Sequence, residues 1–190
     1  MASRLDIVTP GESDDEAVNE LLREAEEGWY EDAAFFGAMA HQPRLFKRIA
    51  STLEAFPASD SLDPALLELM RLRVAVVHRC AYCATVRTRG VRDDVAPRED
   101  AVLGEDVGTD ALTRREELAV RVADLLSRDP HRLSDEFFED LQGEFTDREL
   151  VELLLFASLE VGLDRFTVAL RLDTAEGSPY PTPLTYPFDP

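Results

Sequence analysis

Apolar positions along the chain recur three or four residues apart, which is the spacing of α-helices. The first such face runs from Val18 to Ala25, opposite a strip of glutamates, and Ser13 is its expected N-cap. A second face follows Pro43, and a third run, Ala65 to Val77, is apolar on most sides. A helix of that kind is buried on most sides. No segment alternates between apolar and polar residues for long enough to predict a strand.

Two later helices have recognisable starts. Thr113 with Glu116, and Thr146 with Glu149, have the spacing of a capping box. The helix that follows the second box, Asp147 to Leu172, is apolar almost all round. Such a helix must be buried, either inside the monomer or against another subunit. The pattern therefore predicts an all-α fold of about seven or eight helices, and its last helix favours a homo-oligomer.

A chain of 190 residues is long enough for one domain with a substantial core. We expect a flexible N-terminus at residues 1–14 and a single all-helical domain at residues 15–176. The remaining residues, 177–190, contain five prolines between Pro179 and Pro190. That composition predicts an extended tail, which could lie across a neighbouring subunit.

The charge balance excludes several classes of partner. Acidic residues number 39 against 20 basic ones, for a formal net charge of −19. Nucleic-acid binding and docking on anionic lipid both need a basic surface, so neither is expected. Such an acidic chain, in which Lys47 is the only lysine, is typical of proteins from salt-loving organisms. No apolar run suits a membrane helix and no secretory signal is visible, so we expect a cytoplasmic protein.

The sharpest chemical feature is the sequence Cys80-Ala81-Tyr82-Cys83. We expect it at the start of a helix from Cys80 to Arg89, where the two sulfurs share a face and can form a disulfide. Backbone N–H groups and the helix dipole at that end would stabilise a thiolate, the reactive form of cysteine. Arg87, four residues after Cys83, is expected on the same face, where its charge would lower the thiol pKa further.

Two other residues near the cysteines are candidates for the same site. His78 could join them as a metal ligand, but structural zinc needs four ligands, so no metal is expected. Glu68 lies inside an otherwise apolar run, as functional carboxylates often do. It reaches the thiols only if the chain folds back between Val77 and Cys80, and no glycine or proline marks such a break.

These residues resemble the signature of the alkylhydroperoxidase D-like family, also called the carboxymuconolactone decarboxylase family. The resemblance rests on Glu68 twelve residues before the cysteine pair, on the apolar helix between them, and on Thr146 to Leu153 and Arg165 further on. It covers roughly residues 35–172. It implies an all-helical homo-oligomer, often built from trimers, that uses thiol chemistry without an organic cofactor or metal.

The resemblance also implies roles for individual residues. Cys83 would attack a hydroperoxide, Cys80 would resolve the product to a disulfide, and Glu68 would belong to a proton relay. The family's relay usually has a histidine where this chain has Arg87, and arginine does not release its proton near neutral pH. We expect Arg87 to pair with Glu68 and to lower its pKa. Tyr82 could donate a hydrogen bond at the site.

The first hypothesis for function is a thiol-dependent peroxidase that cycles Cys80 and Cys83 between dithiol and disulfide. It would act on a small hydroperoxide and draw electrons from an unknown thiol donor. One alternative is a scaffold of the same fold without catalytic activity, whose thiol pair senses redox state. The other is a lyase that resembles carboxymuconolactone decarboxylase, although an acidic surface attracts anionic substrates poorly.

Overall fold

The computed structural model describes residues 3–104, 107–108 and 110–172. These residues form ten α-helices and no strand, so the predicted all-α fold is confirmed. The helices are α1 (Glu16–Glu24), α2 (Ala34–Met39), α3 (Pro43–Ala55), α4 (Pro64–His78), α5 (Ala81–Thr85), α6 (Arg92–Val95), α7 (Glu99–Leu103), α8 (Arg114–Arg128), α9 (Asp135–Glu144) and α10 (Asp147–Leu170). The number exceeds the predicted seven or eight because several of these helices are only four to six residues long.

Four shorter turns connect the helices. A π-helical turn, Ala25–Trp29, follows α1, and 3-10 turns occupy Pro57–Ser59, Ala96–Arg98 and Pro130–Arg132. No helix in the described ranges combines the length and the apolar character needed to cross a bilayer. The predicted tail, 177–190, lies outside the described residues, as do the last four positions of the predicted domain.

Two of the three predicted N-terminal helix caps are confirmed. Thr113 caps α8 and Thr146 caps α10, each through a complete capping box with the glutamate three residues later. The prediction for α1 is wrong by two residues. Asp15 is the cap, because its carboxylate accepts a hydrogen bond from the Ala17 amide, while Ser13 accepts one from the Asp15 amide.

Helix α4 lies at the centre of the fold. It packs against α8, α10, α7 and α5, and Leu69, Met70 and Leu72 on it are fully buried. Phe36 and Phe46 belong to an apolar cluster that also contains both cysteines. Helix α4 is therefore surrounded by packed side chains, as its apolar sequence predicts.

Residues 3–14, the predicted flexible segment, contain no helix and run along the rest of the protein. The Arg4 amide donates to the Leu170 carbonyl at 2.9 Å, and the Val8 amide donates to the Gly37 carbonyl at 3.3 Å. Gly37 is needed at this crossing, because a Cβ there would lie 2.4 Å from the Val8 carbonyl oxygen. The N-terminal segment, residues 3–14, thus lies against α2 and the end of α10.

A sharp reversal follows α4. Arg79 adopts a left-handed conformation with φ 55° and ψ 40°, which ends the helix after His78 and turns the chain back. Arginine is rarely found there, since its Cβ crowds the backbone, so no glycine signal could reveal the turn. The fold-back that Glu68 needed to approach the cysteines is present.

The helix that carries the cysteines is shorter than predicted. It ends at Thr85 instead of Arg89, and Val86 is extended. Arg71 donates to the carbonyls of Cys83 and Val86, and Arg87 donates to those of Ala84 and Val86. Guanidinium groups thus occupy carbonyls that amides of the next turn would otherwise use, and the helix stops.

Candidate functional site

Cys80 and Cys83 are joined by a disulfide, with their Cα atoms 5.3 Å apart. Cys80 is the residue before α5, and its sulfur accepts a hydrogen bond from the Cys83 amide at 3.3 Å. Cys80 is 1% exposed and Cys83 is 8% exposed, so Cys83 is the more accessible residue. Because α5 has only five residues, its dipole is weaker than that of the longer helix predicted.

Glu68 forms a buried, two-point ion pair with Arg71, one turn further along α4. Arg71 Nη2 lies 2.6 Å from Glu68 Oε1, and Arg71 Nε lies 2.9 Å from Glu68 Oε2. The carboxylate also accepts hydrogen bonds from the amide and the hydroxyl of Thr88. Burial opposes ionisation of Glu68, but the Arg71 charge and these hydrogen bonds outweigh it, so its pKa is lowered.

Arg71 is one of the site residues that sequence analysis missed. Its guanidinium pairs with Glu68 and also donates to the Cys83 carbonyl at 2.8 Å, which ties α4 to the cysteine helix. It also lies 5.5 Å from the centre of the Tyr30 ring. The available signal was the spacing of three residues between Glu68 and Arg71 inside an apolar run, which places opposite charges on one helix face.

The expected partnership between Arg87 and Glu68 is wrong. Arg87 lies beyond the end of α5, so it does not share a helix face with Cys83. Its Nε donates to Glu99 at 2.8 Å, a residue of α7. The prediction failed because it assumed four more helical residues, and the position of a side chain rotates by about 100° with each one.

Tyr82 is buried between the cysteines, but its hydroxyl serves another contact. It donates to Asp32 at 2.7 Å and accepts a hydrogen bond from the Phe35 amide at 3.4 Å. Burial and the nearby Asp32 charge raise the pKa of Tyr82 well above its usual range. The hydroxyl therefore stays neutral and anchors α5 to the segment before α2.

His78 and Asp164 meet beside the cysteines. His78 Nδ1 lies 3.5 Å from Asp164 Oδ2, and neither atom has a hydrogen-bond partner within the described part of the chain. Asp164 and the two sulfurs offer ligand atoms within 4.8 Å of one another. A metal ion would need both sulfurs as thiolates, which the disulfide precludes. Sequence analysis selected His78 but not Asp164.

Two small cavities lie at the site and share part of their lining. The first, of about 20 Å³, is bordered by Cys83 and by the rings of Phe35 and Tyr82. The second, of about 50 Å³, is bordered by Glu68 and Thr88 and by mainly apolar side chains. Three side chains border both cavities: Tyr30, Arg71 and Glu160.

Glu160 and Asp164 lie one turn apart on α10, and both are buried. Burial raises the pKa of Glu160 to about 8; the charge of Arg71 opposes this shift, while the charges of Asp164 and Glu68 add to it. Burial also raises the pKa of Asp164, against the influence of His78 and Arg71. The sequence signal for this pair is the spacing of four residues between the two acids, each next to an apolar residue of α10.

A family model and two curated proteins match part of this sequence. The model of the carboxymuconolactone decarboxylase family matches residues 43–124. Two uncharacterised proteins of Mycobacterium tuberculosis are each 34% identical over 124 residues, which is 64% of this chain. The chain spans 43% of the length of these curated relatives.

Solved structures share the fold. An alkylhydroperoxidase AhpD core, an uncharacterised peroxidase-related protein from Ralstonia eutropha, has a TM-score of 0.76 at 15% identity, over 92% of this chain and 93% of that one. A variant of the debrominase Bmp8 in complex with 2,3,4-tribromopyrrole has a TM-score of 0.74 at 18% identity, over 94% and 96%. The match of the carboxymuconolactone decarboxylase family model agrees with the resemblance found in the sequence, and the matched region, 43–124, contains Glu68, Arg71 and both cysteines.

Proposed function

We propose that this chain is a thiol-dependent oxidoreductase that reduces organic hydroperoxides by cycling Cys80 and Cys83 between dithiol and disulfide. The observation that carries the proposal is the disulfide beside a cavity lined by aromatic rings and buried acids. Two cysteines in bonding distance, of which one borders a cavity, are the minimum that a dithiol peroxidase needs. The proposed cycle requires no metal or organic cofactor.

The reaction divides into two steps. The Cys83 thiolate attacks the terminal oxygen of the hydroperoxide, the O–O bond breaks, and Cys83 becomes a sulfenic acid while an alkoxide leaves and takes up a proton. The Cys80 thiolate then attacks the Cys83 sulfur, forms the disulfide and releases hydroxide, which is protonated to water. Two electrons pass from the dithiol to the peroxide, and an external thiol donor must return them.

Cys83 is assigned the attacking role on its surroundings. It borders the first cavity and is the more exposed residue, whereas Cys80 caps α5 and borders neither cavity. The Arg71 guanidinium, held at the Cys83 carbonyl, adds positive charge near this residue. Glu68 offsets part of that charge, and the remainder favours the thiolate, the role that was expected of Arg87.

The substrate is expected to carry an apolar group. The second cavity has apolar walls, which include Leu53, Leu67 and Phe156, and it shares Glu160 with the first. An alkyl or aryl hydroperoxide could place its organic part there and its peroxide group at Cys83. The net charge of −19 disfavours anionic substrates.

The test is hydroperoxide-dependent loss of free thiols in the reduced protein, measured in high salt because of the large charge. Cumene hydroperoxide should consume both thiols of the wild type. Cys80→Ser should stop at a sulfenic acid that dimedone traps, and Cys83→Ser should react slowly. Thiols that persist under excess peroxide in the folded wild type would refute the proposal.

Turnover separates the peroxidase from a redox-sensing scaffold of the same fold. With dithiothreitol as electron donor, a peroxidase consumes many equivalents of hydroperoxide per chain, while a sensor consumes about one. No feature of the described site favours the lyase alternative over either of these.

A further inference from the structure

The proposed reaction requires a group beside Cys83 that can donate and accept a proton. Most ionisable side chains near Cys83 already form hydrogen bonds or ion pairs with other residues. Glu68 is held by Arg71 and Thr88 through four hydrogen bonds. The Tyr82 hydroxyl donates to Asp32, and Arg87 pairs with Glu99. None of these groups can exchange a proton with a substrate without breaking its own contacts.

Glu160 is placed differently. Its side chain is buried on α10 and borders both cavities, so it lies between the apolar pocket and the cavity of Cys83. Among the residues that the structure describes, none forms a hydrogen bond or ion pair with its carboxyl group. A buried carboxyl group that faces open space and has no partner is available to a ligand.

We propose that Glu160 is the acid–base residue of this site, which protonates the departing alkoxide and then accepts the proton of Cys80. This inference rests on the proposed peroxidase function and adds a catalytic residue to it. The family resemblance implied a proton relay through Glu68, at a site where Arg87 replaces the usual histidine, so Glu160 is an additional residue for this role.

The charges around Glu160 suit this role. The groups that face it are Glu68 and Arg71 on α4, Tyr30 in the π-helical turn, Tyr82 and Cys83 on α5, and Asp164 on its own helix. Both tyrosines stay neutral, since burial raises the pKa of each. The pKa of Glu160 near 8 leaves it protonated at pH 7 yet able to ionise during turnover.

The protons balance through one cycle. The protonated Glu160 gives its proton to the alkoxide, which leaves as an alcohol. The resulting carboxylate takes the proton of the Cys80 thiol, and the Cys80 thiolate forms the disulfide with release of hydroxide. Glu160 then protonates that hydroxide to water. Reduction of the disulfide by an external dithiol returns two protons, one to Cys80 and one to Glu160.

Asp164 is the competing candidate, because it also borders the cavity of Cys83. It differs from Glu160 in two respects: it lies 3.5 Å from the imidazole of His78, and it does not border the apolar cavity. Asp164→Asn therefore serves as the comparison, while Glu152→Gln is the matched control. Glu152 lies on the same helix, accepts a hydrogen bond from Ser59, and borders neither cavity.

The first experiment measures the single-turnover rate of thiol oxidation by cumene hydroperoxide between pH 6 and 10. We expect Glu160→Gln to lower the rate about 100-fold at pH 7, the loss typical of a missing acid–base group. The wild-type rate should fall above pH about 8, where Glu160 ionises, and the variant should lack this descending limb. A variant that keeps the wild-type rate and pH profile would overturn the inference.

The second experiment does not require a Glu160 variant that folds. Infrared spectroscopy of the wild type should show a protonated carboxyl band at pH 7 that disappears near pH 8, and Asp164→Asn should retain it. Absence of that band overturns the role of Glu160. If the band is present but peroxide leaves the thiols intact, the peroxidase proposal fails instead.

Discussion

Arg71 joins the carboxylate of Glu68 to the backbone of the cysteine helix, and the local geometry depends on this one side chain. Its guanidinium holds Glu68 at two points and the carbonyls of Cys83 and Val86 at two more. All of these groups are buried, so the loss of either charge leaves the other without compensation.

We expect Arg71→Met to lower the free energy of unfolding by about 3–5 kcal/mol at pH 7, because the Glu68 charge then stays buried and unpaired. Adding Glu68→Gln to Arg71→Met should recover part of the loss. Urea unfolding measures both. The control is Arg23→Met, whose exposed pairs with Glu16 and Glu20 should be worth less than about 1 kcal/mol. An equal effect at the two arginines would contradict this account.

Glu160 gives the folded state an unusual dependence on pH. Its pKa is about 8 when folded, against an ordinary value of 4.5. Between pH 4.5 and about 8 the folded state binds one proton more than the unfolded state, because Glu160 stays protonated only when folded. The free energy of unfolding is therefore greatest below pH 4.5 and falls as the pH rises towards 8.

The free energy of unfolding should therefore decrease between pH 5 and 8, with a contribution of up to about 1.4 kcal/mol per pH unit from Glu160. Glu160→Gln should flatten this decrease, although Asp164, whose pKa is also raised, leaves a residual slope. Thermal or urea unfolding at several pH values measures the slope. Glu152→Gln should keep the wild-type slope, and the same slope in Glu160→Gln would show that Glu160 is ionised throughout.

At the scale of the element, the turn at Arg79 and the short helix α5 decide which side chains meet. Sequence patterns predict Cys80, Cys83 and Glu68 as site residues, because each differs in chemical type from its apolar neighbours. They do not predict the partner of Glu68, because that depends on where α5 ends. The end is set by guanidinium groups that bind its carbonyls from outside the helix, which local periodicity does not record.

The left-handed turn at Arg79 can be tested by substitution. Arg79→Val should lower the free energy of unfolding by about 1–2 kcal/mol, because a branched Cβ clashes in this conformation. Arg79→Gly should cause no such loss, because glycine adopts the turn freely. The control is Arg48→Val in the exposed middle of α3, where only a few tenths of a kcal/mol of helix propensity are at stake. Equal losses at Arg79 and Arg48 would argue against the turn.

At the scale of the whole molecule, α10 shows how far an apolar pattern determines an assembly. The sequence predicts burial on all faces of this helix. Within the described chain, Leu153 and Ala157 are buried, yet Val151 and Leu155 are 58% and 59% exposed. Ser158 and Gly162 continue the same exposed row. The monomer thus covers one side of α10 and leaves the other open, and a helical period alone does not specify what covers it.

We expect this open row to form the interface of a homo-oligomer, as the apolar sequence of α10 predicts. Light scattering in molar salt, which screens the net charge of −19, should give a multiple of 21.3 kDa. Leu155→Glu combined with Val151→Glu should dissociate the assembly, because each added charge would be buried between subunits that already repel one another. Leu45→Glu is the matched control: Leu45 is 61% exposed but lies on α3. A wild-type mass of 21.3 kDa would contradict the oligomer, and dissociation by Leu45→Glu alone would move the interface from α10 to α3.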